Sequence, residues 1–179
     1  MRRLVGALVA ALVLIAARAE AAPPSARSRI VFHGWSPDSQ LVAYTRERAT
    51  RTGGALQRMH RFVRGGAFDG FGRMVGGDVA TYARERGYVA HPAAQRREGP
   101  TRWHLRFAER VLTLDVVIGR QVSWVLSEAG RELARHTFDR IYLDFEPELY
   151  PSPDGSQAVL VMHLDTGWEV DAAIFPVGI

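Results

Sequence analysis

A short pattern occurs twice in this chain, and it constrains the fold more than any other feature. The first copy is Trp35-Ser36-Pro37-Asp38-Ser39-Gln40-Leu41-Val42-Ala43-Tyr44, and the second is Pro151-Ser152-Pro153-Asp154-Gly155-Ser156-Gln157-Ala158-Val159-Leu160-Val161. Ser36 aligns with Ser152 and Ala43 with Val159 without a gap, an offset of 116 positions. Each copy is a turn followed by an apolar run. Proline fixes φ near the value required at the second position of a type I turn. The aspartate side chain accepts from backbone N–H groups just ahead. Gly155 takes positive φ without steric cost, whereas Ser39 at the same position is strained. Pro37, Asp38, Pro153, Asp154 and Gly155 are therefore expected to be structural turn residues, each set opening a buried strand.

The rest of the chain reads mainly as strand. Arg29 to Trp35 and Leu41 to Thr45 form a first hairpin, and 46–56 a polar loop. Gln57 to Val63 is a further strand. Residues 65–77 hold six glycines and suit a loop; they match neither the P-loop nor the dinucleotide pattern. Asp78 is placed to cap one short helix to Arg86, stopped by Gly87. Residues 89–102 read as a second polar loop. Leu112, Leu114, Val116 and Ile118 alternate with Val111, Thr113 and Asp115, and Val122, Trp124 and Leu126 alternate again after Gly119-Arg120, giving a second hairpin. Residues 127–137 are ambiguous between strand and helical turn. Ile141, Leu143 and Phe145 alternate with Tyr142, Asp144 and Glu146 as a strand, and Trp168 to Ile174 alternates near the C-terminus. Ala158 to Leu164 is apolar on both faces and is expected to be a central strand. The fold class expected is a compact β-sheet domain of eight to ten strands, with propeller-like hairpins and one short helix at about 78–86.

Both copies of the repeated pattern resemble the Ser-Pro-Asp-Gly-x-x-(apolar)-Ala-Tyr signature of TolB-type, WD-like β-propeller repeats. The first copy carries Ala43 and Tyr44, while the second has Val159 and Leu160 there. The resemblance implies an exported protein that works with partners in the cell envelope. A propeller needs at least four blades of about 40 residues each, and two copies this far apart supply too few. The pattern is expected to serve as a local hairpin device.

Residues 1–21 read as a secretory signal peptide: Arg2 and Arg3, an apolar stretch from Leu4 to Ala17, and the small-x-small site Ala19-Glu20-Ala21. Residues 22–179 are expected to form a single β-rich domain, exported to the periplasm or beyond after cleavage near Ala21, and not membrane-spanning. The chain has no cysteine, which excludes thiolate catalysis, iron–sulfur clusters and disulfide staples. Of 23 basic and 19 acidic residues, the leader holds Arg2, Arg3, Arg18 and Glu20, so the remainder carries 20 and 18, a net of +2. Every base is arginine. With so small a net charge and an export signal, nucleic acid is not an expected partner.

Chemistry concentrates in Phe138-Asp139-Arg140-Ile141-Tyr142-Leu143-Asp144-Phe145-Glu146. This stretch resembles the D-x-x-D-x-D-x-E strand of chitinase-like glycoside hydrolases, with Tyr142 and Arg140 departing from the pattern. The resemblance implies Glu146 as general acid and Asp144 as its helper. That family is built on a (β/α)₈ barrel of about 250 residues, longer than this chain and of a different element pattern. The competing expectation is a strand that presents Asp144 and Glu146 to solvent. His33, His60, His91, His104, His136 and His163 form no i,i+2 or i,i+4 pair, so no metal and no cofactor is expected. Asp38 and Asp154 each offer a calcium ion only one carboxylate. Ser36, Ser152, Ser123 and Ser127 lie outside any nucleophile elbow. Arg58, Arg61 and Arg64 with His60 suit either an anionic surface or a solvated strand face. The function expected is a non-enzymatic binding or structural protein of the envelope, with a small secreted hydrolase using Asp144 and Glu146 as the alternative.

Overall fold

The structure is a computed structural model that describes residues 28–48, 78–167 and 170–179, together with the strand backbone of 55–63 and 67–68. Residues 1–21, expected as a signal peptide, and most of the glycine-rich stretch fall outside these residues, as do the side chains of Arg58, His60, Arg61 and Arg64.

The protein is mainly β. Among the described residues twelve strands run in chain order: β1 (Ser28–Trp35), β2 (Leu41–Arg48), β3 (Ala55–Val63), β4 (Ala67–Phe68), β5 (Ala94–Arg97), β6 (Arg102–Phe107), β7 (Arg110–Ile118), β8 (Val122–Glu128), β9 (Arg131–Thr137), β10 (Asp144–Pro151), β11 (Gln157–Asp165) and β12 (Val170–Gly178). Ten of these are six residues or longer, as the sequence leads one to expect; β4 and β5 are short. Among the described residues there is one helix, α1 (Val79–Glu85), capped by Asp78, which accepts from Ala80 N–H and from the Thr81 hydroxyl. The strands form three antiparallel meanders: β1–β4, β5–β9 and β10–β12. Among the described residues they close neither a barrel nor a propeller.

The sheet β10–β12 is the middle layer. Val159 and Val161 on one face of β11, with Ala172, pack on Ile30, Phe32, Trp35, Val42 and Tyr44 of the first sheet. Ala158, Leu160, Met162 and Leu164 on the other face pack on Trp103, Leu105, Leu112, Leu114, Val116, Val122, Trp124 and Leu126 of the five-stranded sheet. The apolar run in β11 is therefore buried on both faces. The sheets are built in one order along the chain and stacked in another, because the last sheet lies between the first two.

A bulge in β1 sets the first sheet. Its register shifts between Phe32 and Gly34, which brings both Phe32 and Trp35 to the face that meets the middle layer. Gly34, at φ +129°, lets the backbone of Val89 approach. Trp35 and Val89 then exchange two backbone hydrogen bonds of 2.8 and 2.9 Å. On the opposite face Ala43 meets Val79 and Ala83 of α1.

The structure departs from the sequence reading in several segments. Residues 89–102 are not one loop: β5 pairs with β6 through Ala94–Arg106 and Arg97–Trp103, and β6 itself has no counterpart in the sequence reading. Residues 127–137, open between strand and helical turn in the sequence, are the end of β8, a turn and β9. β2 runs to Arg48 and β3 starts at Ala55, both within the loop expected at 46–56, and Ala67-Phe68 of the glycine-rich stretch pairs with β3. The strand expected over 141–146 starts only at Asp144. Before it Tyr142 is buried while Ile141 and Leu143 are exposed, the reverse of the expected alternation. Phe138 and Tyr142 pack edge-on at 5.1 Å, and this aromatic contact sets the direction of the segment.

Candidate functional site

The two Ser-Pro-Asp turns are built alike. Ser36 Oγ donates to Asp38 Oδ1 at 2.5 Å, and Ser152 Oγ donates to Asp154 Oδ1 at 2.6 Å. Asp38 Oδ1 accepts from Gln40 N–H and Asp154 Oδ1 from Ser156 N–H. The type I turn closes through Ser39 N–H to Ser36 O in one copy and Gly155 N–H to Ser152 O in the other, both at 2.9 Å. Ser39 stands at φ +58° and Gly155 at +70°. Both aspartates and both serines are thus committed to holding their own turns. Hydrogen bonds from Ser152, Ser156 and Ser39 hold the Asp154 carboxyl below its usual range.

The two turns also meet. Asp154 N–H donates to Ser39 Oγ at 3.2 Å. Trp35, fully buried, donates from Nε1 to Tyr150 O at 2.9 Å. Tyr150 stacks on Phe32 with ring centroids 4.4 Å apart. The hydroxyl of Ser39 explains why the first copy keeps serine where glycine would be unstrained: it accepts a bond from the other turn.

Asp144 and Glu146 share one side of β10, two residues apart, and both are exposed. They line an open cleft of about 380 Å³ with Gln95, Arg97, Trp103 and Phe145. Asp144 is ion-paired with Arg97 at 3.3 Å, and its side chain is 66 % exposed. The Arg97 guanidinium also donates to Gly99 O and Pro100 O and lies over the Trp103 ring. The carboxylates are thus at a cleft, as an active site requires, and in open solvent, as a solvated strand face requires. β10 and β5 are sheet edges here, joined at one end by Ala93 N–H to Leu149 O at 2.7 Å. Pro147 lacks the N–H that would let the two edges pair further.

A second polar group on β10 was not singled out from sequence. Glu148 accepts from the Tyr150 hydroxyl at 2.7 Å and lies 3.9 Å from His163 Nε2. The nearby His163 imidazole, with the bond from Tyr150 and the charge of Arg29, holds the Glu148 carboxyl low; burial and Glu148 push the Tyr150 hydroxyl up. The signal in the sequence was Glu146 and Glu148 at i and i+2 opposite His163, legible only once the β10–β11 register is known.

The remaining histidines are scattered. His33 bonds Thr45 Oγ1 at 2.7 Å. His104 pairs with Glu98 at 2.6 Å. His136 lies among Trp124, Phe138 and Phe175, and burial lowers its pKa. Among the described residues no group of three or more His, Asp or Glu is placed to hold a metal. Ser127 donates weakly to Thr113 O.

Two further cavities border the five-stranded sheet. One, of about 580 Å³, lies against the second turn and includes Val89, His91, Phe107, Arg110 and Pro151 to Gly155. The other, of about 400 Å³, is lined by Ala94, Gln95, Arg96, His104, Arg106 and Val111. Arg106 belongs to both.

No protein-family model, curated protein or solved structure matches the chain. Among the described residues no helix is long and apolar enough to cross a membrane.

Proposed function

We propose that this chain is an exported, non-enzymatic binding protein of the cell envelope. The observation that carries the reading is the state of Asp144 and Glu146. A general acid needs an apolar enclosure that keeps its proton at neutral pH. Asp144 instead forms an ion pair with Arg97 at an open strand edge, and Glu146 is exposed beside it. The turn aspartates are spent on their own hairpins. The leader-like first 21 residues and the TolB-like form of the repeated turn support the envelope setting.

The alternative is a small secreted hydrolase, favoured by the cleft that Asp144 and Glu146 share with Trp103. Incubation of the protein and of Glu146→Gln with amino-sugar polymers separates the two. The binding reading expects no turnover by either. Turnover by the wild type that Glu146→Gln abolishes would overturn it in favour of the hydrolase.

A further inference from the structure

Arg96 and Arg106 differ from most arginines of the five-stranded sheet; among the described residues Arg131, on β9, is likewise without an ion pair, and it lies outside the cavity that Arg96 and Arg106 share. Arg97 is held by Asp144 and two carbonyls. Arg102 pairs with Asp115, Arg110 is bidentate on Glu128 at 2.7 Å, and Arg135 pairs with Glu132. Arg96 and Arg106 are exposed, and among the described residues neither forms an ion pair or a side-chain hydrogen bond. They stand on adjacent antiparallel strands, because Arg96 faces His104 and Arg106 faces Ala94 in the β5–β6 register. That places them on a diagonal of one sheet face, roughly 7 Å apart at the backbone. His104 lies between them on the same cavity wall. Two like charges this close repel, and among the described residues neither is held in a direct ion pair. Glu98 is bonded to His104, and the charge of Arg96 reaches it only through space.

We infer that this cavity of about 400 Å³ is an oxyanion-binding site in which Arg96 and Arg106 hold a phosphate-type group between them. Guanidinium groups offer paired donors that match the oxygens of such a group. His104 closes the site on one side. Val111 and Ala94 give it an apolar rim, which suits an ester carrying an organic substituent. Arg106 also borders the larger cavity at the second turn, where His91, Phe107 and Pro153 lie, so the substituent has room beyond the anion. The inference deepens the binding reading and rests on it, since it names the ligand class.

Isothermal titration with inorganic phosphate tests the site directly. The wild type is expected to bind, and Arg96→Gln and Arg106→Gln to weaken binding by about fivefold to tenfold each, the loss of one charge-assisted contact. Arg120→Gln removes the same charge from an exposed turn remote in sequence from the cavity and is expected to change nothing. All three substitutions lie on the surface, and unchanged melting temperatures confirm that the fold is retained. A flat wild-type isotherm overturns the site, and so does equal weakening by all three variants, which reports net charge alone. Vesicles of phosphatidylglycerol against phosphatidylcholine then distinguish the source. Retention on the first, reversed by free phosphate and by Arg106→Gln, assigns a lipid headgroup; phosphate binding without retention assigns a soluble ester. The titration does not read glycan turnover, so its failure is separate from failure of the binding reading.

Discussion

The backbone N–H of Asp154 donates to the side-chain oxygen of Ser39 at 3.2 Å, joining two turns that lie 115 residues apart in the chain. Each turn closes its own hairpin by the same set of bonds, and this contact makes a pair of them. It lies next to the bond from Trp35 to Tyr150 O, so the first and last sheets are fastened at one corner by backbone and side chain together.

Ser39 carries two opposed effects. Its φ of +58° costs about 1–2 kcal/mol for a residue with a Cβ. Its hydroxyl satisfies the Asp154 N–H, whose loss costs about 1–3 kcal/mol. Ser39→Ala keeps the strain and loses the bond, so it destabilises by about 1–3 kcal/mol. Ser39→Gly loses the bond and relieves the strain, so it stays within about 1 kcal/mol of the wild type. Urea midpoints of the three proteins check the ordering; alanine as stable as glycine would contradict it.

Trp35 is fully buried and its indole N–H is used. Trp35→Phe leaves the Tyr150 carbonyl short of a donor and opens a small void, at a cost of about 2–4 kcal/mol. Denaturant unfolding followed by far-UV circular dichroism measures it.

Gly34 has no room for a side chain. A Cβ there would stand 2.6 Å from Val89 O and 2.7 Å from its carbonyl carbon, and φ is +129°. Gly34→Ala must break the Trp35–Val89 pair and is expected to cost about 3 kcal/mol or more. The accompanying readout is loss of amide protection at Val89 alongside the fall in melting temperature.

Acid should weaken the fold through carboxyls that are held low when folded. Glu148 is lowered by His163 first and Asp154 by Ser152 first. A group with a depressed folded pKa contributes stability above its unfolded value, and that contribution fades as pH falls through the folded value. Melting temperature is therefore expected to drop as pH is lowered below about 5, toward 3. Glu148→Gln removes one of these groups and flattens the slope in that window. Parallel slopes for the two proteins would remove Glu148 from the account.

The hairpins were legible where the sequence marks both a turn and an alternation. Ser-Pro-Asp fixed β1–β2 and β10–β11, and Gly119-Arg120 fixed β7–β8. β6 was missed because its connection to β7 is Ala108-Glu109, with Ala108 at φ +46°; no Gly, Pro, Asn or Asp marks the bend. β5 was missed because Ala94–Arg97 is exposed at every position and polar at three of four, an edge strand with no buried face to set a period. At Phe138–Leu143 tertiary packing of Phe138 and Tyr142 overrode the local alternation. Asp144 and Glu146 were visible as a pair, but Arg97 as the partner of Asp144 was not, since it lies 47 residues earlier. Arg96 and Arg106 become neighbours only through the β5–β6 register.

The central structural claim is that the two repeated turns form one corner of the fold, and amide hydrogen exchange at Asp154 tests it most directly. In the wild type the Asp154 amide is expected to be protected well beyond an exposed turn amide, and in Ser39→Ala that protection should be lost while the amide of Gly155, which bonds Ser152 O within its own turn, stays protected. An Asp154 amide that exchanges at the same rate in both proteins would contradict the contact between the turns.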